Sequence, residues 1–214
     1  MDLDVLEELC LVQSNNIAIQ TVASLPSKKY VRGALDTAFV RLPDTGTTLP
    51  GDSVIWKLEI FNPGNVDLTN IVVVDIFPFI GDVGVQLNTT PRETGWRPYL
   101  IDTIAIPPSR PNLTVYYSQE QNPCRPEVSP LDGSGCVDDW STTPPADLST
   151  VQAIKLELGD TLCTNTGFDI LVNMLAPDSA AITDPISWNS LARNASELPA
   201  QEPNKVGVEL KYHD

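Results

Sequence analysis

The 214 residues carry 28 acids against 13 lysines and arginines, a formal charge of −15. That balance excludes a nucleic-acid partner, because tracking phosphates needs a basic face. No apolar run approaches the roughly 20 residues of a membrane span, so no membrane insertion is expected in this segment.

Residues 2 to 9, DLDVLEEL, offer a cap at Asp2 and leucines at helical spacing, which predicts a turn or two of helix. In the next stretch Ile17, Ile19 and Thr21 alternate with Ala18, Gln20 and Val22, the period of a strand. A break at Pro26-Ser27-Lys28-Lys29 separates that strand from the main domain. Residues 1–28 therefore read as an N-terminal segment with an orphan strand, and 29–214 as the main domain. No basic and apolar leader comes after Met1, so the chain reads as mature polypeptide or as one not exported by that route.

Residues 34–42, ALDTAFVRL, are expected to form the domain's first strand. The stretch GDSVIWKLEIFNPGNVDLTNIVVVDIFP, residues 51–78, is the most strongly patterned. Val54, Trp56, Leu58 and Ile60 alternate with Ile55, Lys57, Glu59 and Phe61, as in a half-buried strand. Residues 71–76 are β-branched at nearly every position and read as a strand buried on both faces. Asn62-Pro63-Gly64-Asn65 between them is a turn cluster, with glycine supplying positive φ, and the pair reads as a hairpin.

The pattern then dissolves into a long excursion, residues 79–150, with short strands expected at 101–106 and 113–117. Trp96 and Trp140 are placed to pin it to the sheet. Four more strands are expected, at 151–158, 168–175, 186–192 and 205–212. Strands in series without helical crossovers give antiparallel sheets packed face to face. The expected fold is all-β: an immunoglobulin-like antiparallel sandwich of seven to nine strands with an enlarged loop excursion.

Cys124 and Cys136 flank a loop with almost no apolar residue, where a disulfide is worth about 3 kcal/mol in the chain-entropy model. Cys10 and Cys163 are the remaining candidate pair. Disulfides imply an oxidising compartment, hence an extracellular location. His213 is the only histidine, which argues against Ser-His-Asp catalysis and histidine-built zinc sites. Carboxylate pairs of the kind a glycosidase uses as acid and base arise by chance in so acidic a chain. Asp132, Asp138 and Asp139 could hold calcium through oxygen ligands, without the EF-hand spacing; no other cofactor is expected. Asn88, Asn112 and Asn194 stand in Asn-x-Ser/Thr sequons. Trp96, Tyr116, Tyr117 and Trp140 could form a sugar-stacking patch, or serve the core.

Gly51-Asp52, Asn62-Pro63-Gly64, Leu68-Thr69-Asn70 and Asp75-Ile76-Phe77-Pro78 resemble the opening of the immunoglobulin-like repeat (stalk) domains of bacterial and archaeal cell-surface, adhesin-type proteins. LELGDTLCTNTGFDILVNMLAP and ISWNSLARNAS are similar to that family's later strands. The resemblance covers about residues 30–212, and the long cysteine loop departs from short-loop members. It implies a spacer or a presenter of binding loops at the cell surface, with no catalytic residue. Its partners would be other copies, sibling modules or a host or surface ligand.

Some sandwiches of this kind carry a Lys–Asn isopeptide bond promoted by a buried acid. The trio suggested here is Lys57, Asp75 and Asn189, although Lys57 alternates away from Trp56 and Leu58. QSNNIAIQTVA resembles a family closing strand, so Ile17, Ile19 and Thr21 could complete a neighbour's sheet. The function expected is a non-enzymatic structural or adhesive module. Alternatives are a pilus-like filament subunit joined by strand donation and, remotely, a secreted carbohydrate-active protein.

Overall fold

The computed structural model describes residues 20–86, 90–129, 135–178 and 185–211. Twelve strands form among them: β1 Lys28–Gly33, β2 Gly46–Thr48, β3 Ser53–Asn62, β4 Ile71–Ile76, β5 Tyr99–Leu100 and β6 Leu113–Ser118, then β7 Ala153–Leu158, β8 Thr166–Leu175, β9 Ile186–Asn189, β10 Ala192–Ala195, β11 Leu198–Gln201 and β12 Val206–Leu210. The fold is the all-β sandwich that alternation and turn clusters specify. The excess over nine comes from strands of two to four residues, β2, β5 and β11 among them, too short to leave a periodic signal.

One sheet has the order β1-β3-β8-β5 and the second β11-β10-β4-β7-β6. A third, β2-β12-β9, pairs β2 parallel to β12. Every second side chain of β3 points inward: Val54, Trp56, Leu58 and Ile60 are fully buried. They meet Ile71 and Val73 of β4 and Ile154 and Leu156 of β7. Burying side chains of this size is worth roughly 1.5–3 kcal/mol each.

β4 is buried on both faces, as its β-branched run requires. Its other face, Val74 and Ile76, packs with Val85 and Val128 of the excursion and with Trp140. The Cys124–Cys136 disulfide closes that cover. Trp140 Nε1 donates to the Cys124 carbonyl at 2.6 Å. The fully buried Arg125 donates from Nε to the Val85 carbonyl, also at 2.6 Å. The tryptophans do pin the excursion: Trp96 lies in the inter-sheet core and donates to the Pro185 carbonyl at 2.8 Å.

Three expectations change. β3 and β4 are not a hairpin: β3 pairs with β1 and β8, while β4 pairs with β7 and β10. The Asn62–Asn70 connection crosses between the sheets, and Asn62 Nδ2 ties it down by donating to the carbonyls of Val66 and Leu162. Gly64 is needed there for proximity rather than for positive φ, because a Cβ would sit 2.4 Å from the Val22 carbonyl oxygen. The first strand is Lys28–Gly33, not 34–42. Residues 34–42 are turn and coil with one bridge, Val40 to Val31. Likewise, the strand expected at 101–106 is replaced by the two-residue β5.

Candidate functional site

Polar groups are concentrated where the two main sheets and β9 meet. β1 runs antiparallel to β3 with Lys29 opposite Leu58. The alternation that buries Val31 therefore turns the Lys29 side chain inward as well, to 1% exposure. On the facing sheet Asp75 shares the inner face of β4 with Ile71 and Val73 and has no exposed surface. Lys29 Nζ donates to Asp75 Oδ2, so the ion pair spans the sandwich. The ammonium also lies 5.3 Å from the centre of the Trp56 ring and 3.4 Å from the Ser190 carbonyl oxygen.

Burial is the main influence on this amine and lowers its pKa from 10.5 to about 8; the Asp75 carboxylate opposes that shift. A neutral amine is thus within reach near physiological pH. Asn189, buried on β9, precedes Ser190. Its Oδ1 accepts a 2.8 Å hydrogen bond from Arg92 Nη1, while its Nδ2 and Asp75 Oδ1 have no hydrogen-bond partner among the described residues.

Arg92 is itself fixed. Both terminal nitrogens donate to the Ile76 carbonyl, and Nε lies 3.2 Å from Asp82 Oδ2. Burial raises the Asp82 pKa, and Arg92 works against that. The chemical content is specific: an amine held by a carboxylate and in contact with the Ser190 carbonyl, one residue from an amide whose oxygen meets a guanidinium and whose nitrogen has no hydrogen-bond partner among the described residues.

Of the residues expected from sequence, Asp75 and Asn189 come to this cluster and Lys57 does not. Lys57 alternates to the outer face of β3, lies 3.4 Å from Asp169 and stacks on Tyr30. The amine on Asp75 belongs to Lys29. Sequence reading misses it by taking Lys28-Lys29 for a break; the available signal is the inward phase shared with Val31.

The remaining candidates are dispersed. Asp139 accepts from the Ser118 hydroxyl and the Gln119 amide, and the described residues hold no acidic or thiol cluster suited to a metal. Cys163 is disulfide-bonded. Asn112 is exposed and donates to Asp160, whereas Asn194 is half-buried in β10. Trp96 and Tyr117 lie in the core; only Tyr116 and Trp140 share a neighbour, Lys155. Thr21 is exposed, and next to it Val22 pairs with Asn65 of the same chain. Cys10, Ile17, Ile19, Asn88, Asp132 and His213 lie outside the described residues.

No family model matches the chain, and no curated protein matches it. Among solved structures it is similar to the C-terminal domain of the Streptococcus pyogenes antigen I/II-family protein AspA, at 17% identity and TM-score 0.41 over 86% of this chain and 46% of that one. A membrane-anchored protein of Corynebacterium diphtheriae is matched at 12% identity and TM-score 0.44, over 89% of this chain and 36% of the other. The collagen-binding subdomain of the Enterococcus faecalis surface protein ACE is matched at 15% identity and TM-score 0.34, over 73% and 87%. The chain spans less than half the length of the first two structures.

Proposed function

We propose that the chain is a non-enzymatic structural or adhesive module of an extracellular surface protein, locked internally by an amide bond between Lys29 and Asn189. The observation that carries this reading is the buried Lys29–Asp75 pair touching the Ser190 carbonyl, next in sequence to an Asn189 amide whose oxygen is hydrogen-bonded and whose nitrogen has no partner among the described residues. An ion pair in a core adds little stability over a packed apolar pair, so its use is more specific than stabilisation.

In the proposed step the neutral Lys29 Nζ attacks Cγ of Asn189. Charge developing on Oδ1 is met by the Arg92 guanidinium, as in an oxyanion hole. Asp75 takes the proton released by Nζ and passes it to Nδ2. The Nζ–Cγ bond forms, the Cγ–Nδ2 bond breaks and ammonia leaves. The protein acts once on itself and consumes no substrate.

Intact mass is the direct test. Native protein should weigh one ammonia less than its sequence with disulfides formed, and peptide mapping should join Lys29 to Asn189. Lys29→Met, Asp75→Ala and Asn189→Ala should each restore the full mass, and Lys57→Met should not. An unmodified native mass ends the cross-link proposal.

The outward role is presentation on a surface, for which a disulfide-closed loop and a self-repelling charge are suitable. Strand donation by residues 15–23 is the alternative mode of assembly. Removing residues 1–25 and comparing fibres by negative-stain microscopy distinguishes the two: fibres lost with the segment favour donation.

A further inference from the structure

A cleft of about 540 Å³ opens where the start of β1 meets β10, the end of β11 and the segment after β11. That volume is in the range of small-ligand sites. In a chain with only 13 basic residues, four of them, Lys28, Lys29, Arg41 and Arg193, line this one opening. Two of the four are already answered. Lys29 pairs with Asp75 inside the sandwich, and Lys28 lies 3.1 Å from Glu59.

The two guanidiniums have no carboxylate at ion-pair distance among the described residues. Arg193 is the informative one. It is 5% exposed, and its hydrogen bonds go to neutral acceptors, the Pro199 carbonyl at 3.3 Å and the Gln201 side chain. Its Nε has no hydrogen-bond partner among the described residues, and burial lowers its pKa. A buried, uncompensated cation is costly, and an anion arriving beside it relieves that cost.

Arg41 also lines the cleft, exposed and resting on the Tyr30 ring. One carboxylate, Glu202, also lines the cleft, held by the backbone amides of Val85 and Gln86 and by the Ser190 hydroxyl. Two guanidiniums against one carboxylate leave a single positive charge to be met. A monoanion meets it, whereas a dianion overshoots it. The planar guanidinium matches a carboxylate in shape as well as charge. Leu42, 47% exposed, adds an apolar wall for the body of such a ligand.

We infer that this cleft is a binding site for a monoanionic carboxylate ligand of about the size of a sugar acid, read by Arg193 and Arg41. Binding there does not require the Lys29–Asn189 bond. Isothermal titration of the full chain with glucuronate, at fixed ionic strength in sodium chloride, tests it, with inorganic phosphate as a second arm. Saturable one-to-one binding of glucuronate, tighter than phosphate, is expected. Arg41→Ala and Arg193→Gln should each weaken it about tenfold, the scale of one charge-assisted hydrogen bond, and Lys57→Ala on the outer face of β3 should not. Should Arg193→Gln fail to fold, the exposed Arg41→Ala carries the comparison. Absence of saturable binding, phosphate binding more tightly, or variants that bind as the parent overturns the inference.

Discussion

Lys29 is a residue whose ionisation burial in the sandwich controls, and its titration distinguishes a free amine from an acylated one. The free amine protonates at about 8 in the folded chain and at 10.5 in the unfolded one. Between those values the unfolded chain binds the extra proton, so stability rises with pH across that window. Below about 8 both states are charged, and the burial cost is felt in full. In an Asn189→Ala background, where the amine stays free, denaturant unfolding should gain stability from pH 8 to 10.5, by up to about 3 kcal/mol. The Lys29→Met/Asn189→Ala double variant should lack that gain. Cross-linked wild type should also lack it, because an amide nitrogen does not titrate. Asp75 and Asn189 are legible in the sequence because each lies within a strongly patterned strand. Lys29 is not, because the Pro26-Ser27 pair before it reads as a break and a lysine does not announce an inward position.

At the level of elements, the excursion works as a lid on the outer face of β4. Val85, Val128 and Trp140 cover Val74 and Ile76, and the Cys124–Cys136 bridge keeps the loop carrying Val128 closed. Replacing both cysteines by serine should lower unfolding stability by about 3 kcal/mol, the loop-closure entropy for this span. Urea unfolding with the slope fitted separately for each protein, and the stability extrapolated to water, would check it. The continuous apolar run of residues 71–76 signals two buried faces from sequence alone, yet it does not say what covers the second one. That cover is built from isolated side chains in irregular backbone, which carry no period. The crossing from β3 to β4 is hidden for a related reason. Asn62-Pro63-Gly64-Asn65 has the composition of a tight hairpin turn. What decides otherwise is long-range: the reach of Asn62 to the Leu162 carbonyl and the close passage of Val22.

For the whole molecule, the proposed bond joins the first strand of the sandwich to β9, near its last. A stalk is loaded through its ends, and with the disulfides reduced, tension on an unmodified module would reach β1 and the C-terminal strands first. Antiparallel pairs peeled from an end give way one hydrogen bond at a time, so a noncovalent sandwich is weak in that direction. An amide between Lys29 and Asn189 carries the load instead and leaves everything between those residues unstretched. Single-molecule extension of a chain tethered at both ends, with its disulfides reduced, should then release only the segments outside residues 29–189. Asn189→Ala should show an additional contour gain of roughly 50 nm, from about 3.4 Å per residue over the enclosed chain. Equal gains in the two proteins would mean that the sandwich bears force through its hydrogen bonds alone.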